Sequence, residues 1–96
     1  MSLKAEISKG TVEHILKGQE ELSHLKVRTR GDLLIIESVD TYGNVCPHAR
    51  FKKRSVHVWD LQMPTRKGWE PIFIEGTATE LTNLLIEKFP WALAPQ

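Results

Sequence analysis

An α+β domain, with an antiparallel sheet of four to five strands (a meander) flanked by an N-terminal and a C-terminal helix, is the fold that three observations predict. Runs of alternating side-chain type follow one another from Leu25 to Glu75, and apolar residues at helical spacing occur only before and after them. The turn-forming residues between the runs leave only short connections, and short connections join antiparallel neighbours, since a parallel pair needs a crossover of roughly a dozen residues or more. The chain of 96 residues is read as a single domain, 1–96, long enough to bury one core without staples.

The first helix is expected over Thr11 to His24, where Val12, Ile15, Leu16 and Leu22 form one stripe that Gln19 interrupts. Gly18 lies inside that span and costs about 1 kcal/mol relative to alanine, so the helix leans on the sheet or splits there. Leu25 to Arg30 then alternates, with Leu25, Val27 and Thr29 on one face and Lys26, Arg28 and Arg30 on the other. Gly31-Asp32 suits a type II′ hairpin turn, which has glycine first. The four aliphatics that open the next strand, Leu33 to Val39, imply burial on both faces at that end. Asp40 to Asn44 is dense in turn formers and closes a second hairpin.

Val45 to Lys52 is the third strand, with Val45, Ala49 and Phe51 on one face and Cys46, His48, Arg50 and Lys52 on the other. Pro47 cannot donate a ladder hydrogen bond, so an edge position or a start after the proline is expected. A basic turn at Lys52-Lys53-Arg54 leads to Ser55–Leu61, whose alternation and β-branched and aromatic content predict a central or near-central strand. Gln62 to Gly68 reads as a loop and Trp69 to Glu75 as the last strand. Thr77-Ala78-Thr79-Glu80 fits a capping box that opens the second helix, with Leu81, Leu84, Leu85 and Phe89 as its buried stripe. Pro90 stops that helix, and Trp91 with Leu93 is expected to fold back as an apolar clasp. In element order the chain is similar to the double-stranded RNA-binding domain, and its later half to the arm-site DNA-binding domain of phage integrases. The RNA-binding family carries a lysine cluster at the start of its second helix, whereas this helix opens with an acidic Thr77-Ala78-Thr79-Glu80, so the similarity is one of element order alone.

The net charge of +1 conceals an asymmetry. From Lys26 to Lys67 there are nine basic residues against four acidic ones, and the flanks carry the balancing excess of carboxylates. Lys26, Arg28 and Arg30 on one strand, Arg50, Lys53 and Arg54 around a hairpin, and Arg66 and Lys67 near Trp69 would position phosphates, with Trp69 as a stacking platform. Nucleic acid is therefore the expected partner. Solvated strands also carry Lys and Arg as protection against edge-to-edge association, so what matters is whether these cations share a face. The alternative is a protein-interaction or homodimerising module, supported by three tryptophans, the apolar Trp91-Ala92-Leu93 and open sheet edges.

Cys46, His48 and His57 are considered as a metal or thiol site, but paired zinc-ligand spacing is absent. With no glycine-rich phosphate loop and no converging nucleophile and base, the chain is read as non-enzymatic, with no catalytic, cofactor-binding or metal residue assigned. The lone Cys46 excludes an internal disulfide, and neither a long apolar run nor a signal-peptide pattern occurs, so a cytoplasmic setting without membrane contact is expected.

Overall fold

The computed structural model describes the backbone of residues 3–94 and the side chains of residues 7–20 and 22–94. Helix α1 (Leu3–Lys17) and a 3₁₀ turn (Glu20–Leu22) precede strands β1 (Lys26–Arg30), β2 (Leu33–Val39), β3 (Val45–Lys53), β4 (Trp59–Thr65) and β5 (Gly68–Gly76). Helix α2 (Ala78–Lys88) and a second 3₁₀ turn (Pro90–Ala92) follow. The strands form one sheet in the order β1-β2-β3-β4-β5, each pair antiparallel, so the α+β meander is the fold. Among the described residues no helix is long and apolar enough to cross a membrane.

Register explains why one sheet face is buried. Val27, Ile36 and Ala49 are cross-strand partners, as are Leu34, Phe51 and Leu61, and this face meets Val12 and Leu16 of α1 and Leu81 and Leu85 of α2. Both helices pack on this side, and no described helix covers the other. Thr77 caps α2 as its sequence predicts: its hydroxyl accepts from the Glu80 amide and the Glu80 carboxylate accepts from the Thr77 amide, both at 3.1 Å.

Several boundaries differ from the expectation for local reasons. Helix α1 starts earlier and ends at Lys17, because the Gly18 amide closes on the carbonyls of His14 and Ile15 at 3.2 Å and the chain turns there. Ser55 to Val58 is not strand. The amides of Arg54 and Ser55 both donate to the Val58 carbonyl, which makes this stretch the β3–β4 link, and β4, fourth of five, begins only at Trp59. The presumed loop after Leu61 is instead strand through Thr65, with a tight turn at Arg66-Lys67 and Gly68 at φ 130°.

Strand β3 is central rather than an edge, although it contains Pro47. Two features accommodate the proline. The β2 register jumps from Ile36–Ala49 to Glu37–Pro47, leaving His48 as an extra bulged residue, and β4 pairs with β3 only from Arg50 onward. The same bulge breaks the expected alternation, so that His48 and Ala49 are both buried. In the terminal clasp Ala92 and Leu93 are buried, whereas Trp91 is 68% exposed and stacks edge-on with Phe89.

Candidate functional site

The hairpin lengths decide which basic side chains share a face. Lys26, Arg28 and Arg30 of β1 are register partners of Glu37, Ile35 and Leu33 of β2. Ile35 and Leu33 in turn partner Arg50 and Lys52 of β3, and Arg50 partners Gln62 of β4. Because partners point to the same side of a sheet, these five cations lie together on the face that carries no helix. Ile35, only 5% exposed, lies between Arg28 and Arg50 in the register.

Polar contacts order this surface. The Arg28 Nε donates to Glu37 Oε1 at 2.8 Å, which neutralises one charge, and the Arg50 Nε donates to Gln62 Oε1. The Arg50 guanidinium lies 4.4 Å from the centroid of the Trp69 ring, a cation–π contact that fixes both side chains and covers one face of the indole. Partial burial lowers the pKa of Arg50 from its ordinary value, and the group remains cationic at neutral pH. The half-buried Trp69 therefore acts as a support for Arg50, and what the surface presents here is a guanidinium plane backed by an aromatic ring.

The remaining predicted residues are distributed differently. Arg54 donates from Nε to both carboxylate oxygens of Asp60 at 3.0 Å and reaches Glu75 at 3.2 Å; the hydrogen bond and attraction of Asp60, then the charge of Glu75, raise its pKa. It neutralises carboxylates at the β4–β5 side of the face instead of adding free charge. Lys53 is the register partner of Trp59 and so belongs to the opposite side of β3. Arg66 and Lys67 sit at the tip of the β4–β5 hairpin, at the other end of the strands from Lys53 and Arg54.

Sequence reasoning missed Phe73. Between the partners Asp60–Glu75 and Gln62–Pro71, a single β4 residue, Leu61, faces three β5 residues, Ile72 to Ile74. Phe73 sits at the middle of this bulge with φ 62° and is 94% exposed, while Ile72 and Ile74 pack against the core. A cavity of about 230 Å³ adjoins it, lined also by Lys52, Lys53, Arg54, Gln62 and Pro71. An unbroken apolar run, Ile72-Phe73-Ile74, carries no sequence signal that its central ring turns outward.

The grouping of Cys46, His48 and His57 does not form. His48 is 1% exposed, with Nε2 at 2.7 Å from Ser38 Oγ and Nδ1 at 2.8 Å from the Ala92 carbonyl, so both ring nitrogens have protein partners. Cys46 points its thiol to the Asn44 carbonyl, and His57 is exposed in the β3–β4 link. Among the described residues no three His, Cys, Asp or Glu side chains are placed to hold one metal ion. Comparison with protein-family models, with curated proteins and with solved structures finds no match to this chain.

Proposed function

We propose that the chain is a non-enzymatic nucleic-acid-binding domain and that the helix-free face of its sheet contacts the phosphodiester backbone. What supports this is the clustering of Lys26, Arg28, Arg30, Arg50 and Lys52 on one side by strand register, against the single carboxylate of Glu37 on β1–β3. Cations gathered in this way displace condensed counterions from a polyanion, which is the main source of sequence-independent affinity for nucleic acid. Arg66 and Lys67, exposed at the hairpin tip, extend the basic surface at one end, and the Arg50–Trp69 pair offers a plane on which a base can stack. The unpaired Cys46 is in keeping with a reducing, cytoplasmic setting.

Fluorescence anisotropy of labelled single- and double-stranded DNA and RNA at two salt concentrations tests the proposal. Log affinity is expected to fall by about 0.7 to 0.9 per neutralised phosphate per log unit of salt. Arg28→Glu with Arg30→Glu should weaken binding and flatten that slope; unchanged binding would remove β1 from the surface. The alternative, a protein-binding or homodimerising module, draws support from the exposed cross-strand pair Val39 and Val45 next to Tyr42 at the β2–β3 hairpin end. Sedimentation over a range of concentrations separates the two, since a dimer through that end would be lost on Val45→Lys while nucleic-acid affinity stayed the same.

A further inference from the structure

Three features define the position of Phe73. Its ring is almost wholly in water, its backbone lies in the left-handed region where a β-carbon is disfavoured, and its two neighbours anchor the bulge by packing against the core. The ring is therefore held outward by the fold. Strain of this kind persists where the surroundings impose it, and it concentrates at ligand-binding positions. The adjoining cavity of about 230 Å³ is smaller than the roughly 300–1,000 Å³ of pockets that enclose a whole small molecule. Its lining holds Lys52 and Lys53, together with Arg54, whose charge is already matched by Asp60 in the same lining and by Glu75 beside it.

We infer that Phe73 and this cavity form a base-stacking subsite for single-stranded nucleic acid, with Lys52 at the cavity rim facing an adjoining phosphate. The subsite rests on the proposed phosphate-binding sheet face, of which Lys52 is a shared member. A planar base has a π-face of its own to set against the exposed ring, and the neighbouring ammonium complements the charge of the backbone. Bases within a duplex are already stacked on one another, so the subsite selects unpaired strands.

The test uses anisotropy with a labelled oligouridylate, a base-free strand of the same length and a matching RNA duplex. Phe73→Ala is expected to weaken oligouridylate binding by about 5- to 100-fold, the range that loss of one stacked base gives. Its affinity for the base-free strand and its salt slope should stay at wild-type values, and Phe73→Trp should retain oligouridylate binding. Equal weakening on the base-free strand would show that the ring acts without a base and would overturn the subsite. So would unchanged oligouridylate binding by Phe73→Ala, and if Arg28→Glu with Arg30→Glu still weakened the complex, the sheet-face proposal would survive that result. Wild-type protein that binds none of the three probes at low salt would end both. Because the Phe73 side chain is exposed, its removal leaves the core intact, and far-ultraviolet circular dichroism provides the folding control.

Discussion

At Phe73 the φ of 62° sets the β-carbon against the backbone, a conformation that costs roughly 1–2 kcal/mol for a residue other than glycine. Its ring contributes little burial in return, so Phe73→Gly should raise stability by about 1 kcal/mol in urea unfolding while weakening oligouridylate binding. Gain of stability with loss of binding is the expected pattern at a residue kept for function. Gly10 is the opposite case: it is exposed within α1, and a β-carbon there would meet nothing within 4 Å. Gly10→Ala should therefore stabilise by about 0.5–1 kcal/mol through helix propensity alone. Ser38 and His48 form a buried pair in which direction matters. The Ala92 carbonyl can only accept, so His48 Nδ1 carries the proton there, and in the neutral ring Nε2 accepts from the Ser38 hydroxyl. Ser38→Ala should then cost about 1–3 kcal/mol, the penalty for an unsatisfied buried acceptor.

Among the elements, the α2 cap and the Asp40 turn were legible in the sequence, and each is closed by short-range hydrogen bonds. Thr77 and Glu80 satisfy each other's amides, and Thr77→Ala should lower stability by about 1 kcal/mol. The Asp40 carboxylate accepts from the amides of Asn44 and Tyr42 at 2.8 Å and from the Asn44 side chain, and these bonds, that of the Asn44 amide foremost, hold its pKa below the ordinary value. A depressed carboxylate pKa gives stability that is present above the unfolded value of about 3.9 and is lost as pH falls through the folded one. The stability difference between wild type and Asp40→Ala should accordingly be full at neutral pH and fade in the acid range below that value, as urea titrations across pH would record. Caps and turns are legible because their chemistry lies within five residues of sequence. Bulges are not: the alternation of Val45 to Lys52 is continuous, and only the partner strand reveals that His48 is the inserted residue. Ser55 to Val58 failed for a related reason, since its alternation fits a strand but the link out of β3 requires it as a turn.

At the scale of the whole molecule, the sequence supplied the cations but could not sort them, because their common face follows from strand order and register. Arg28 and Arg50 are far apart in the chain yet flank the same Ile35, whereas Lys53, adjacent to Lys52, lies on the other side of β3. The closure of the core is equally non-local. His24 Nε2 and His48 Nδ1 bond the carbonyls of Leu93 and Ala92 at 2.9 and 2.8 Å, and Leu93 itself is fully buried. Removing the chain from Pro90 onward would leave the His48 Nδ1 unsatisfied, at about 1–3 kcal/mol, and would lose burial of Leu93 worth about 1.5–3 kcal/mol. Together these approach the whole stability of a marginal domain, typically about 5–15 kcal/mol. The truncated chain should therefore unfold at much lower urea than wild type, whereas Trp91→Ala, which removes an exposed ring, should unfold close to it. Equal midpoints for the truncated and wild-type chains would mean that the sheet and two helices hold the core unaided, and that the two histidines find water in place of the terminal carbonyls.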